Sequence, residues 1–321
     1  MKVGIIGEIH RSGFEIFNNN NIDYFVTNNT EEDHLIEKLK NVDGIIVRTA
    51  KINKNILSKL KNLKIIARHG VGYDNVDINF LNENKIAMAI TGKANATSVA
   101  EHTMTMMLCL TKNIFESDKL VRIGNFQKKE NLSNFFELFE KKILILGFGR
   151  IGKALAKRCL GFEMEVYVYD PFIAKNEIHN LNCIPINILE GFKIADYISI
   201  HLPLNSETKN LISFDEFEIF KSNMILVNTA RGGIINEEAL YFALKNKKIF
   251  GAGIDVFEKE PPIKDHKLFD LNNIVLSPHN AALTLECRKR MAIECCENIF
   301  NFLINQKDLV KSNIVNLDIL S

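Results

Sequence analysis

Short apolar runs recur along the first third of the chain, at 3–6, 24–26, 44–47, 64–67 and 86–90, each followed by a polar stretch of helix length. That rhythm predicts repeated β-α units feeding a parallel sheet. A second series follows at 143–146, 165–169, 197–200, 224–228, 249–254 and 274–276, spaced in the same way. The pattern therefore predicts an α/β protein with two doubly wound parallel-sheet domains. Between the two series, 97–111 carries Met104, Met106, Met107, Leu108 and Leu110 and reads as a largely buried helix, its methionines serving as core. The last patterned stretch, 285–303, reads as a second long helix.

Length and composition agree with two cores. At 321 residues, with 46% hydrophobic and 25% charged positions and a formal net charge of +1, the chain has the composition of a soluble globular protein. So even a balance offers no field to gather nucleic acid or anionic lipid, and neither is expected as a partner. No apolar run reaches membrane-spanning length, and residues 2–7 are too short for a signal-peptide core, which makes the cytoplasm the expected location. The six cysteines lack the paired spacing of a zinc site, so they read as reduced thiols and no metal is expected.

Chemistry enters at the start of the second series. The run 143–146 leads into Gly147-Phe148-Gly149-Arg150-Ile151-Gly152, a helical stretch, and then the run 165–169 closed by Asp170. A glycine triplet alone reflects only turn geometry, but strand, glycines, helix, second strand and terminal acid here follow in order within about 30 residues. This is a dinucleotide fingerprint: Gly147 for the tight turn, Gly149 for close approach of a pyrophosphate, Gly152 for helix–strand packing. Asp170 can accept hydrogen bonds from both ribose hydroxyls and repels a 2′-phosphate, which points to NAD as cofactor. Asp170-Pro171 also suits the opening of a turn, a reading that touches only the choice between NAD and NADP.

Three later segments each follow an apolar run: 228–233 with Arg231, 253–262 with Glu260, and 277–282 with His279. Ligands of open parallel sheets bind beyond the carboxyl ends of the strands, so these three side chains can converge there. A carbonyl that takes a hydride from a dinucleotide gains negative charge on its oxygen, and His279 is suited to protonate such an oxygen. Glu260 would orient the imidazole and favour its charged form, and Arg231 can clamp a carboxylate in its fork. Each residue alone would be an ordinary loop side chain; their conjunction with the fingerprint singles them out. His10, His34, His179 and His266 lack such company and read as surface, while His69 and His102 are left open.

With these segments in view, the chain resembles the D-isomer-specific 2-hydroxyacid dehydrogenase family over nearly its whole length. Residues 68–77, Arg68-His69-Gly70-Val71-Gly72-Tyr73-Asp74-Asn75-Val76-Asp77, are similar to the family's substrate-carboxylate loop, and Val99-Ala100-Glu101-His102 to the start of its interdomain helix. The resemblance implies a flavodoxin-like substrate-binding domain made of 1–95 and 285–321 and an NAD-binding Rossmann domain at 96–284. It implies catalysis by Arg231, Glu260 and His279, and substrate contacts from Arg48, Gly70, Val71, Gly72 and Arg231. Cofactor contacts are implied for Gly147, Gly149, Arg150, Ile151, Gly152, Asp170, His201, Leu202, Pro203, Thr229, Ala230, Arg231, Asp255, His279 and Ala281. For His201 a packing role is an equal reading. A homodimer is implied too.

Val47-Arg48-Thr49-Ala50 resembles the corresponding segment of phosphoglycerate dehydrogenases, which favours 3-phosphoglycerate over hydroxypyruvate or glyoxylate and lactate-type acids as substrate. Arg48, Lys51 and Arg68 could hold a second anionic group. About forty residues follow His279, so the C-terminal regulatory domain of some relatives is not expected. Formate dehydrogenases of this architecture pair the histidine with glutamine, which Glu260 argues against. Other relatives are NAD-sensing scaffolds for transcription partners; the retained Arg, Glu and His favour an enzyme. Asn280-Ala281-Ala282 departs from the family where a glycine is common two residues past the histidine, and this narrows the space beside the ring.

Overall fold

The computed structural model describes residues 1–132 and 135–320; Ser133 and Asn134, within the expected 96–284 domain, and Ser321, at the end of 285–321, lie outside the described residues. The chain divides into two compact units, Met1–Asn95 with Leu283–Ser321, and Ala96–Ala282. Strands of the first unit are β1 (Lys2–Ile6), β2 (Asp23–Thr27), β3 (Gly44–Val47), β4 (Ile65–Arg68) and β5 (Ala87–Ile90). They form a parallel sheet in the order β2-β1-β3-β4-β5, which is the flavodoxin-like arrangement.

The second unit holds β6 (Lys142–Leu146), β7 (Glu165–Tyr169), β8 (Ile184–Pro185), β9 (Tyr197–Ile200), β10 (Ile225–Asn228), β11 (Gly251–Ile254) and β12 (Ile274–Leu276). Their order, β12-β11-β10-β9-β6-β7-β8, is again all parallel and reverses direction between β6 and β9, as in a Rossmann sheet. Parallel strands are covered on both faces by their crossover helices, and for that reason they read as unbroken apolar runs. In β6, Leu144 and Leu146 enter one core and Ile143 and Ile145 the other. β3 divides likewise, with Ile45 and Val47 on one face and Ile46 on the opposite one.

The two long helices span Ala96–Thr111 and Leu285–Leu303, the latter capped by Thr284, whose hydroxyl accepts from the Cys287 amide. Met104, Met106 and Met107 of the former are buried in the second unit's core, as their spacing suggested. Among the described residues no helix is long and apolar enough to cross a membrane.

Three details depart from the sequence pattern. Ile86, Met224 and Ile249 are buried but precede their strands, because an apolar run marks burial and not ladder pairing. The two-residue β8 has no apolar run to announce it. The tail also returns to the first sheet: Ala89 bridges Ile314, the Val315 amide donates to the Met88 carbonyl at 2.8 Å, and Asn316 Oδ1 accepts from the Met88 amide at 2.8 Å. Asn316 Nδ2 donates to the Ile86 carbonyl and to Asn82, both at 2.9 Å. This closes an edge strand whose backbone groups would otherwise face solvent. Asn316 is 6% exposed, so Asn316→Ala should leave buried backbone groups unpaired and cost about 1–3 kcal/mol in urea unfolding. An unchanged unfolding midpoint would show that the asparagine does not hold this edge.

Candidate active site

The glycine turn follows β6. Gly147 has φ +93, and a Cβ there would stand 2.6 Å from the His201 carbonyl oxygen; one on Gly152 would stand 2.2 Å from the Gly147 carbonyl oxygen. Neither position can hold a side chain. Gly149 is different: it caps the Arg150–Gly161 helix, is exposed, and has no atom within 4 Å of where its Cβ would be. The opening above Gly149 and the first-turn amides of Arg150 and Ile151, which lack intrahelical acceptors, fit a pyrophosphate.

At the end of β7, Asp170 Oδ2 accepts from the Phe148 amide at 2.7 Å and Oδ1 from the Phe172 amide at 2.9 Å. Two backbone donors thus fix the carboxylate against the glycine turn, and each oxygen keeps a lone pair for a ribose hydroxyl.

His201 sits beside the turn but spends its ring on the protein. Its Nε2 is 2.8 Å from Ser199 Oγ, Nδ1 is buried without a partner, and burial pushes the ring down to about 3. The imidazole is neutral and packed, and its carbonyl abuts Gly147. Leu202 is half-buried and Pro203 exposed.

The three reactive side chains come from loops after β10, β11 and β12. Asn228, at the end of β10, braces the first loop by accepting from the Ala230 amide at 3.0 Å and donating to the Arg231 carbonyl at 2.8 Å. Arg231 Nη1 donates to the Ala230 carbonyl at 2.7 Å. Thr229 turns away: it is buried, with its hydroxyl 3.0 Å from that of Thr103, so only its backbone is available to a cofactor.

After β11, the fully buried Asp255 organises the loop that bears His279. Its carboxylate accepts from the Ser277 hydroxyl at 2.5 Å, the Asn280 amide at 2.9 Å and the Ala281 amide at 3.1 Å. Its carbonyl accepts from the His279 amide at 2.8 Å. Ala281, at 4% exposure, is held by this network.

His279 Nδ1 lies 2.8 Å from Glu260 Oε2, and Glu260 Oε1 accepts from the Phe257 amide at 3.1 Å. Burial pushes the Glu260 carboxyl up, but His279, the Phe257 amide and the Arg231 charge together outweigh it and hold the group below the usual glutamate range. Glu260 is thus ionised near neutrality, so Nδ1 carries the proton and Nε2 is the nitrogen left for a ligand. Beside the pair, an apolar cavity of about 470 Å³ is lined by Phe257, Pro261, Phe269, Leu276 and Pro278.

In the first unit, Arg48 and Arg68 stand at the carboxyl ends of the adjacent strands β3 and β4, followed by His69 and the turn Gly70-Val71-Gly72. His69 is buried; burial first, then Arg68 and Arg48, push it down to about 4, so it is neutral. The Arg68 guanidinium donates to the His69 carbonyl, and the Gly70 amide to the Arg68 carbonyl at 2.9 Å. Val71 and Gly72 are partly exposed.

Three of the histidines expected on the surface are partly buried and bonded. His10 accepts from the Ser12 amide, His34 bonds Thr27 at 3.1 Å, and His266 meets Glu237 at 3.0 Å between Phe257 and Phe269; only His179 is exposed. For His266 the partner, Glu237, is 29 residues away, which spacing does not reveal; His10 and His34 find theirs within seven residues, in bonds that carry no apolar signal. Asn228 and Ser277 were likewise not singled out, although a polar residue ending the apolar run of β10 is a usable signal.

Residues 104–281 match the model of the D-isomer specific 2-hydroxyacid dehydrogenase, NAD binding domain. The chain is 41% identical over 276 residues to a hydroxypyruvate reductase of Thermotoga maritima, covering 85% of this chain and 89% of that protein. It is 36% identical over 318 residues to a D-3-phosphoglycerate dehydrogenase of Archaeoglobus fulgidus, covering 99% of this chain but only 59% of the relative's length. A crystal structure of D-lactate dehydrogenase from Aquifex aeolicus complexed with NAD and lactic acid superimposes with a TM-score of 0.84 at 27% identity, covering 98% of this chain and 99% of that one. With the glycine turn, the acid closing β7 and the Arg-Glu-His set at the strand ends, these matches make the chain a member of the D-isomer-specific 2-hydroxyacid dehydrogenase family.

Proposed function

We propose that the chain interconverts a small D-2-hydroxy acid and its 2-keto acid with NAD. The observation that carries this reading is the His279–Glu260 pair, under the charge of Arg231, in the sheet that also holds the glycine turn. When bound, the nicotinamide supplies the hydride to C2 or takes it back.

The residues do the rest. His279, with Nδ1 donated to Glu260, gives a proton from Nε2 to the C2 oxygen in reduction and removes it in oxidation. Glu260 holds the ring's orientation and stabilises its charged form. Arg231 draws the substrate carboxylate and polarises the oxygen that gains charge. Gly147, Gly149, Arg150, Ile151 and Gly152 hold the pyrophosphate, Asp170 the ribose, and the backbone at His201, Leu202, Pro203, Thr229 and Ala230 lines the cofactor. Asp255 and Ala281 shape its nicotinamide end. Gly70, Val71 and Gly72 offer amides to the substrate carboxylate, and Arg48 takes a second anionic group, which favours a phosphorylated acid such as 3-phosphoglycerate. Hydroxypyruvate, glyoxylate and lactate-type acids satisfy the same carboxylate clamp and are the alternatives.

The exposed Ile114, Phe115, Val121 and Ile123 support a homodimer, and six cysteines, all free thiols, suit the cytoplasm.

A screen of NADH depletion across 2-keto acids tests the activity; NADH that binds but is oxidised by none of them would favour a sensing scaffold instead. His279→Ala should lower kcat on the order of 10²–10⁴-fold with NADH binding retained, and a variant keeping most of its rate would remove His279 from the proton transfer. In Glu260→Gln the carboxylate that orients the imidazole through Nδ1 is gone, so kcat for reduction should fall on the order of 10-fold or more with NADH binding retained. An unchanged rate would refute that role. Asp170→Ala should cut the preference for NAD over NADP about tenfold, and steady-state kinetics with both cofactors reads the ratio directly; no change would free Asp170 from the ribose.

A further inference from the structure

His102 lies in the Ala96–Thr111 helix, and its side chain is about a quarter exposed. Its Nε2 is 2.9 Å from Ser277 Oγ. The direction of that bond follows from the second contact of the same hydroxyl. Ser277 has one proton to give, and Asp255 Oδ1, 2.5 Å away, is a carboxylate oxygen that accepts. Ser277 therefore donates to Asp255 and accepts from His102, whose proton is on Nε2. The same nitrogen is 3.8 Å from Asp255 Oδ1, so the helix sets its ring N–H on Ser277 and beside the carboxylate that Ser277 serves.

What the pair holds is the backbone on either side of His279. Asp255 receives the Asn280 and Ala281 amides on its carboxylate and the His279 amide on its carbonyl. His279 itself has φ +49, a left-handed conformation that a non-glycine residue keeps only where its surroundings impose it. The Ser277 hydroxyl is the remaining donor to that carboxylate, and His102 is what stops it from rotating away. We propose that His102 is a positioning residue for His279, acting through Ser277 and Asp255: it fixes the loop that aims the imidazole, without itself touching substrate or cofactor. This rests on His279 being the proton carrier.

The test compares His102→Ala, His102→Gln and Ser277→Ala in the full chain. Measured quantities are kcat and KM for reduction of the best 2-keto acid, NADH affinity by fluorescence, and hydrogen exchange at the Asn280 and Ala281 amides by NMR. His102→Ala should lower kcat about tenfold to a hundredfold while KM and NADH affinity change little, because a small misplacement of the acid damages the transition state more than binding. Exchange at the two amides should accelerate about tenfold or more as the loop loosens. Glutamine can place its amide N–H near the position of Nε2, so His102→Gln should recover most of the rate and of the protection.

Wild-type kcat and wild-type exchange in His102→Ala would overturn the proposal, as would a His102→Gln variant no better than the alanine. A drop in melting temperature with kcat and exchange unchanged would also overturn it, since it would reduce His102 to a structural contact. Should His102→Ala fail to fold, Ser277→Ala must show the same loss of rate and protection. If the wild-type chain reduces no 2-keto acid, the proposed function has failed, and the exchange measurement still decides whether His102 holds the loop.

Discussion

A parallel sheet constrains this molecule more than any single contact. Its strands all run one way, so every loop that follows a strand leaves at the same edge. In the second unit that edge receives the glycine turn after β6, Asp170 after β7, Arg231 after β10, Glu260 after β11 and His279 after β12. These residues span more than a hundred positions of chain, from Gly147 to His279, yet need no long-range device beyond strand pairing to converge. The direction reversal between β6 and β9 leaves the crevice in which ligands of such sheets sit.

Within that frame, the two acids of the catalytic loops do different work because they are buried to different degrees. Asp255 is sealed from solvent and saturated with donors from the 277–281 segment, so it behaves as part of the backbone's hydrogen-bond framework. A buried carboxylate is tolerable only when paired in this way, and removing its donors would be costly. Glu260 keeps 38% of its side chain exposed and spends one oxygen on the Phe257 amide and the other on His279. It can therefore respond to the charge of the His279 imidazole, whereas the carboxylate of Asp255 accepts from the Ser277 hydroxyl and the Asn280 and Ala281 amides, with His102 Nε2 3.8 Å away. The buried acid braces the backbone on either side of His279, and the half-exposed acid bonds one nitrogen of its ring.

The sheets, the two long helices and the glycine turn were legible because each leaves a local mark: an apolar run, a helical spacing, a set of glycines at fixed offsets. Arg231, Glu260 and His279 were legible as candidates because each follows a strand. What stayed hidden depends on partners far along the chain. The hub role of Asp255 draws on 277–281, and the bond from His102 crosses from a helix whose own pattern speaks only of core. The pairing of Val315 and Asn316 with β5 is carried by backbone and amide groups, which have no hydropathy signature. The resemblance implied a cofactor contact for Thr229, but nothing in the sequence says which way its side chain turns; its hydroxyl faces Thr103, which leaves its backbone for that contact.

The central claim is that this sheet edge delivers a hydride to C2 of a 2-keto acid while His279 protonates the oxygen. Reduction with NADH deuterated at C4 tests it most directly. The account predicts that, from one of the two C4 epimers, deuterium passes to C2 of a product of D configuration without exchange with water. Deuterium retained in the oxidised cofactor whichever epimer is used, label lost to solvent, or a racemic product would contradict it.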